Sequence, residues 1–365
     1  RTGRISLRKF YVRRFKRLVP ALALVVFTTL VMAAFLLSPL GPQQTLALTA
    51  IAAVFSLANV AIASTTGDYF DAPAELNPLL HTWSLSVEEQ FYLVFPIAVV
   101  IGLSLARGRL SGPWTVVSIG TALSLGALLI APSIQSVFDS PLLGFYSPIV
   151  RAWEFGVGAL IALWLFQRQK KFGRRVSALL FVAGIALLTA AISPLVLLGE
   201  FPGPITALPV VGTALTILGG SGQPFAGRQL LSGRPLVLIG DWSYSIYLWH
   251  WPFVSLSAIL WPDNQWASSL AVVISFGPAV ASYYLLENRL RFTPFPSYRA
   301  GLLVAGVTLL TPISGAGALW AFAESLVPRA TTPVPAAGPA GAAPTDAEQE
   351  GVIDPEELGR VADER

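Results

Sequence analysis

Ten apolar stretches divide this chain: 18–39, 45–63, 84–105, 114–133, 148–167, 176–192, 204–220, 235–259, 267–286 and 300–323. Each is about 17–25 residues long, the length a helix needs to cross the roughly 30 Å hydrocarbon core of a bilayer. Backbone polar groups find no water there and must bond within the segment itself. The sequence therefore predicts an all-α fold, a polytopic transmembrane helical bundle. Charged residues make up 12% of the chain, against about 25% in a soluble domain, which excludes that class.

The loops sort by sign. Arg107/Arg109, Lys170/Lys171/Arg174/Arg175, Arg228/Arg234 and Arg289/Arg291/Arg299 mark four basic loops; Asp68/Asp71/Glu75, Asp139, Glu200 and Asp263 mark the loops between. Basic loops stay cytoplasmic, so the acidic ones fall outside. Residues 1–17 hold eight basic groups and no acid, and read as a cytosolic arm before a membrane domain over 18–326. An odd number of crossings would then separate this arm from the basic loop at Arg107. The weakest stretch, 45–63, carries Asn59 and follows Gly41-Pro42. It is expected to be re-entrant or interfacial, leaving about nine spans and an extracytoplasmic C-terminus. Residues 327–365, rich in Pro and Ala and then acidic, read as a disordered extracytoplasmic linker.

No cysteine is present, which excludes disulfides, thiolate nucleophiles and zinc–thiolate sites. Two histidines far apart are a poor basis for a metal site, so neither metal nor bound cofactor is expected. The net charge of +4 reflects basic cytosolic loops and implies no nucleic-acid partner; the surrounding partner is membrane lipid.

Both histidines lie in polar-aromatic motifs. His81 opens HTWSLSVEEQFYLVFP (81–96) and His250 closes GDWSYSIYLWH (240–250). On a helix His81, Ser84, Glu88 and Tyr92 share a face, the pattern of an acid/base pair or proton relay. Ionisable side chains at membrane depth are costly and usually functional. The plainer alternative makes His81 and Trp83 interfacial anchors. In the second motif Ser243, Tyr247 and His250 share a face, and an aromatic belt is the competing reading. Arg151 and Glu154 form a possible intramembrane ion pair, with Gly156 and Gly158 allowing close helix approach. Arg13, Arg14 and Arg17 could clamp phosphates or merely orient the first span.

The stretch LLHTWSLSVEEQFYLVFP (79–96) closely resembles the signature of the acyltransferase-3 family of integral-membrane acyltransferases. SLRKFYVRRFKRLVPAL (6–22), RAWEFGVGAL (151–160) and LSGRPLVLIGDWSYSIYLWHWP (231–252) resemble further blocks in the family's order. The resemblance implies transfer of an acyl group, commonly acetyl, from a cytosolic acyl-CoA donor to a hydroxyl of an extracytoplasmic glycan or lipid-linked sugar acceptor. By that resemblance His81, Trp83, Ser84 and Glu88 match one block, and Arg13, Arg14 and Arg17 another. Arg151 with Glu154, and Ser243, Tyr244 and His250, match the others. Family members begin with further helices bearing an arginine and a histidine central to transfer, and some continue into an SGNH-type domain. This sequence starts after the first and stops before the second, so it is expected to be an incomplete segment.

The expected mechanism has a histidine as general base or acyl acceptor, oriented by Glu88, with the arginines on the donor phosphates. The loop-charge topology puts His81 near the outer face and the arginines near the inner one, too far apart for contact. The rival class is a transporter or translocase of a lipid-linked sugar or small anion, in which the same ionisable groups would line a path.

Overall fold

A computed structural model describes residues 6–65, 76–138, 144–168, 170–193, 204–295 and 297–326. The described residues form helices joined by short turns: α1 (Leu7–Leu36), α2 (Gln44–Val54), α3 (Ala58–Thr65), α4 (Thr82–Leu105), α5 (Ser111–Phe138), α6 (Pro148–Gln167) and α7 (Arg174–Ala191). After these come α8 (Ala207–Ser221), the short α9 (Ala226–Leu231), α10 (Arg234–Leu260), α11 (Ala267–Phe292) and α12 (Tyr298–Ser325). Seven of them are long and apolar enough to cross a membrane: α1, α4, α5, α6, α7, α11 and α12. This is a multi-pass helical membrane protein.

α10 has the length of a span, 27 residues, but carries the polar second motif. α8 has 15 residues and is shorter than the stretch expected at 204–220. Of the basic residues read as a separate arm, Arg8, Lys9, Arg13, Arg14, Lys16 and Arg17 stand in the first turns of α1, and Arg1 and Arg4 lie outside the described residues. Ser6 caps that helix by accepting from the Lys9 amide, and arginine and lysine propagate it well. The acids Asp68, Asp71, Glu75, Asp139 and Glu200, and the expected linker 327–365, lie outside the described residues.

The stretch 45–63 breaks where Ser56 takes a left-handed φ of 57°, leaving pieces of 11 and 8 residues. At 1.5 Å per residue these reach about 16 and 12 Å, half a bilayer core or less. The break is stitched to α4. The Ser86 hydroxyl accepts from the Ala58 amide at 3.1 Å, and the Gln90 amide donates to the Ser56 carbonyl at 2.8 Å and the Asn59 side chain at 2.9 Å.

Small residues let the helices approach, as lipid-embedded helices require. A Cβ added at Gly184 of α7 would come within 2.6 Å of the Gly212 carbonyl in α8. Gly156 of α6 packs on Thr121 of α5, whereas Gly158, expected to do the same, has nothing within 4 Å of its added Cβ. α1 is central, packing on α2, α10, α11 and α12. Its buried Ala21, Val25 and Val26 join Leu248 and Trp249 of α10, Ala279 of α11 and Ala316 and Leu319 of α12 in the core.

Candidate active site

The central position of α1 brings its basic turns against the first motif. A cavity of about 540 Å³ opens between α1, the α2–α3 break, α4 and α10, within the range of small-molecule sites. It runs along α4 from Thr82 to Tyr92, about 15 Å at the helical rise, and along α1 from Arg14 to Leu22.

A charge cluster occupies one end. The Arg14 guanidinium donates to Glu89 through Nη2 at 2.8 Å and through Nε at 3.0 and 3.1 Å, and its Nη2 also reaches Glu88 Oε1 at 3.0 Å. It stacks over the Tyr92 ring with Cζ 3.2 Å from the centroid. Such forked, charge-assisted contacts suit arginine's planar donors. They also revise two expectations. Arg14 is in direct contact with the first motif, about 10 Å along α4 from His81; an arginine and two acids in a poorly solvating interior pull the helices together. The partner of Glu88 is Arg14 and not a histidine.

The three arginines expected to act together separate. Arg14 is held by the carboxylates, Arg17 lines the cavity, and Arg13 is exposed and outside it. Ser243 and Tyr244 line the cavity too; Tyr244 donates to the Leu18 carbonyl at 2.9 Å, and Ser243 to the Gly240 carbonyl at 2.8 Å.

At the other end the two histidines meet. Their ring centroids are 5.8 Å apart, although 169 positions separate them in the chain. The Tyr247 ring sits against both, at 5.4 Å from each. The Tyr247 hydroxyl donates to the His81 carbonyl at 2.8 Å and contacts the Ser84 hydroxyl. His250 Nδ1 lies 2.7 Å from the Tyr247 carbonyl. A carbonyl only accepts, so Nδ1 carries the proton and Nε2 is the basic nitrogen. His81 itself does not line the cavity; Thr82, Ser84 and Tyr247 do. The His81 ring is 5% exposed and neither nitrogen completes a hydrogen bond. The Leu248 carbonyl favours its protonated form, but burial, then the nearby His250, outweigh it and push the pKa down to about 3. His81 is therefore a neutral imidazole at physiological pH.

Arg151 donates to Glu154 at 3.2 Å and lies 4.9 Å from the Trp83 ring centroid. This pair borders a separate cavity between α6 and α8, which Trp83 reaches only through Arg151 without lining it.

Sequence reasoning passed over Glu287. It is 1% exposed, in a π-helical turn of α11 (Tyr283–Glu287), and accepts from Ser245 at 2.9 Å. It stands one residue beyond an apolar stretch and beside Arg289 and Arg291, where an acid reads as loop. The available signal was Ser245, a hydroxyl on the opposite face of α10 from the motif's aligned residues. Among the described residues no group of His, Cys, Asp and Glu could hold a metal ion.

The sequence has relatives among known proteins. The acyltransferase-3 model, an acyltransferase domain, matches residues 1–288. The chain belongs to the acyltransferase-3 family. The peptidoglycan O-acetyltransferase OatA of Listeria monocytogenes is 27% identical over 309 residues, covering 81% of this chain and 48% of the relative. The O-acetyltransferase OatA of Staphylococcus aureus is 28% identical over 311 residues, covering 82% and 50%. YrhL of Bacillus subtilis is 28% identical over 312 residues, covering 80% and 47%. The chain thus spans about half the length of the curated relatives it matches. No solved structure matches it significantly.

Proposed function

We propose that this chain is the membrane transferase unit of a cell-envelope O-acetyltransferase. It moves acetyl from a cytosolic acyl-CoA to a hydroxyl of an extracytoplasmic glycan, the peptidoglycan of its relatives' names being the first acceptor to try. The observation that carries this reading is the single cavity joining Arg17 and the Arg14–Glu88–Glu89 cluster to Ser84 and Tyr247. It offers the slender thioester arm of the donor a route along α4, which resolves the apparent distance between donor and acceptor faces.

In this mechanism Arg17, which lines the cavity, meets a donor phosphate at its mouth. Arg14 fixes Glu88, a cavity-lining carboxylate, through Oε1 and makes no hydrogen bond to Oε2. The acceptor hydroxyl attacks the thioester carbonyl carbon, its proton passing to Glu88 as the carbon–oxygen bond forms. The carbon–sulfur bond then breaks, and the proton leaves with the CoA thiol. Tyr247, fixed by the His81 carbonyl, and Ser84 hold the acceptor oxygen. The paired histidine rings shape the wall behind them. General-base catalysis contributes about 10²–10⁴-fold. The relatives' transferase names speak for transfer over translocation, and the basic turns of α1 favour a cytoplasmic start for that helix.

The test is label transfer from radioactive acetyl-CoA in sealed, oriented membranes carrying the full-length protein. Acid-stable label in extracytoplasmic glycan, reduced about a hundredfold or more by Glu88→Gln, is the expected outcome. No transfer to any glycan or lipid by folded wild type sinks the proposal.

A further inference from the structure

Two grooves flank α6, and they differ in chemistry. The one against α4 and α5, about 510 Å³, is walled by Phe91, Phe95, Phe155 and aliphatic side chains, with Gln90 and Thr121 its polar members. That is what any helix crevice offers to bulk lipid. The one between α6 and α8, about 310 Å³, is different. Its apolar part is lined by Val157, Ile161, Val210 and Ile217, and its end carries Arg151, Glu154 and Thr206.

The geometry of that slot is amphiphilic. Arg151 stands in the first turn of α6, and Thr206 immediately precedes α8, so the polar groups sit at the same end. From Arg151 to Ile161 the slot runs about 15 Å along α6, half of a hydrocarbon core of roughly 30 Å, or one leaflet. Gly158 keeps it open: a Cβ added there would meet nothing within 4 Å, and Gly158 lines the slot. The head end is charged but balanced, because Arg151 and Glu154 form an ion pair. An anionic head gains little from a neutralised arginine. A hydroxyl-rich head both donates and accepts, matching a guanidinium and a carboxylate side by side. Arg151 lies against Trp83, whose neighbours Thr82 and Ser84 line the main cavity, so the head end of the slot is one side chain away from it.

We infer that the α6–α8 slot binds a glycolipid, a saccharide head at Arg151, Glu154 and Thr206 with its hydrocarbon chain lying along Gly158. This inference rests on the acyltransferase reading for its meaning, since it makes a lipid-linked sugar the acceptor presented beside Ser84. Binding itself is independent of transfer, so it is measured without a donor.

The purified chain in phosphatidylcholine nanodiscs is photolabelled with an alkyl maltoside carrying a diazirine in its chain. A matched probe carries the same chain on a phosphocholine head. Mass spectrometry of peptides from 207–221, which line the slot and not the groove, reads the slot, and peptides from 91–99 read the apolar groove. The maltoside is expected to label the slot at least fivefold more than the phosphocholine probe, with no preference in the groove. Gly158→Leu should cut slot labelling fivefold or more and leave the groove unchanged; Glu154→Gln should erase the head-group preference. If Gly158→Leu does not fold, Ile217→Phe blocks the same space from α8. Equal slot labelling by both probes, or labelling indifferent to a folded blocking variant, overturns the inference and leaves a bulk-lipid crevice. Slot binding without acetyl transfer by the full-length protein would sink the transferase reading and keep the site. Transfer undiminished in a folded blocked variant would show that the acceptor does not enter by this slot.

Discussion

Glu88 and Glu89 are neighbours on one turn, both bound to Arg14, yet they should fail in different ways when neutralised. Glu89 takes three of the four contacts, at 2.8, 3.0 and 3.1 Å, and its side chain is 30% exposed. Glu88 takes one, at 3.0 Å, is 37% exposed and lines the cavity. A hydrogen bond to a charged group contributes about 1.5–3 kcal/mol, and a pair near the exposed regime about 0.2–1 kcal/mol. A double-mutant cycle between Glu89→Gln and Arg14→Gln should therefore give a coupling of about 2 kcal/mol, and the Glu88→Gln cycle no more than about 1 kcal/mol. Activity should run the opposite way: Glu88→Gln abolishes transfer in a stably folded protein, while Glu89→Gln lowers stability and leaves partial turnover. Reversible unfolding in mixed micelles, followed by the fluorescence of the ten tryptophans, reads the first. Label transfer reads the second. Equal couplings, or Glu89→Gln as inactive as Glu88→Gln at matched folded amounts, would refute the assignment of one acid to chemistry and the other to the scaffold.

Four further outcomes are expected. The His81 pKa is about 3 in the folded protein against an ordinary 6.5, so the unfolded chain binds the proton first and stability falls as pH drops below 6.5. The loss is about 2 kcal/mol at pH 5, and unfolding midpoints of His81→Gln should lack that slope. Ser245→Ala, which strips Glu287 of its hydroxyl donor, should cost about 1.5–3 kcal/mol; a cost within 0.5 kcal/mol, on the order of a neutral surface change, would show that Glu287 is otherwise satisfied. Gly184→Leu forces side-chain atoms onto the Gly212 backbone and should sharply lower the recovery of folded protein, whereas Gly120→Ala, with nothing near its added Cβ, should not. Charge reversal at Arg17 should raise the donor KM with little change in kcat, and reversal at the exposed Arg13 should leave both near wild type.

The helical bundle was legible because span length and loop charge are properties of single segments, each readable without its neighbours. The stretch 45–63 was legible as the weakest span, from Asn59 and small residues, but the break at Ser56 was not. What resisted reading was pairing. Helical spacing put His81, Ser84, Glu88 and Tyr92 on one face, but the identity of the opposing helix decides what each touches. Arg14 claimed Glu88, Tyr247 claimed Ser84, and His250 came to lie beside His81. Loop charge set the arginines and His81 on opposite sides of a bilayer and overstated their separation, because α1 carries its basic residues inside the helix that crosses. Glu287 was hidden by the π-helical turn, which turns a residue numbered as loop inward among α10 and α11.

The stitching of α2 and α3 bears on how the protein is made. A long apolar helix can enter the bilayer as it leaves the ribosome, but these two pieces are too short to do so alone. Their polar backbone at the break is satisfied by Ser86 and Gln90, 28 and 34 residues later in the chain, and Asn59 donates to the Tyr146 carbonyl, 87 residues later. A wall of the cavity therefore cannot exist until α4 and the start of α6 have been synthesised. Nascent chains stalled before residue 86 should leave 44–65 open to protease or labelling reagents, and chains stalled beyond α6 should protect it, so the cavity is closed late in synthesis by helices that arrive after the segment they hold.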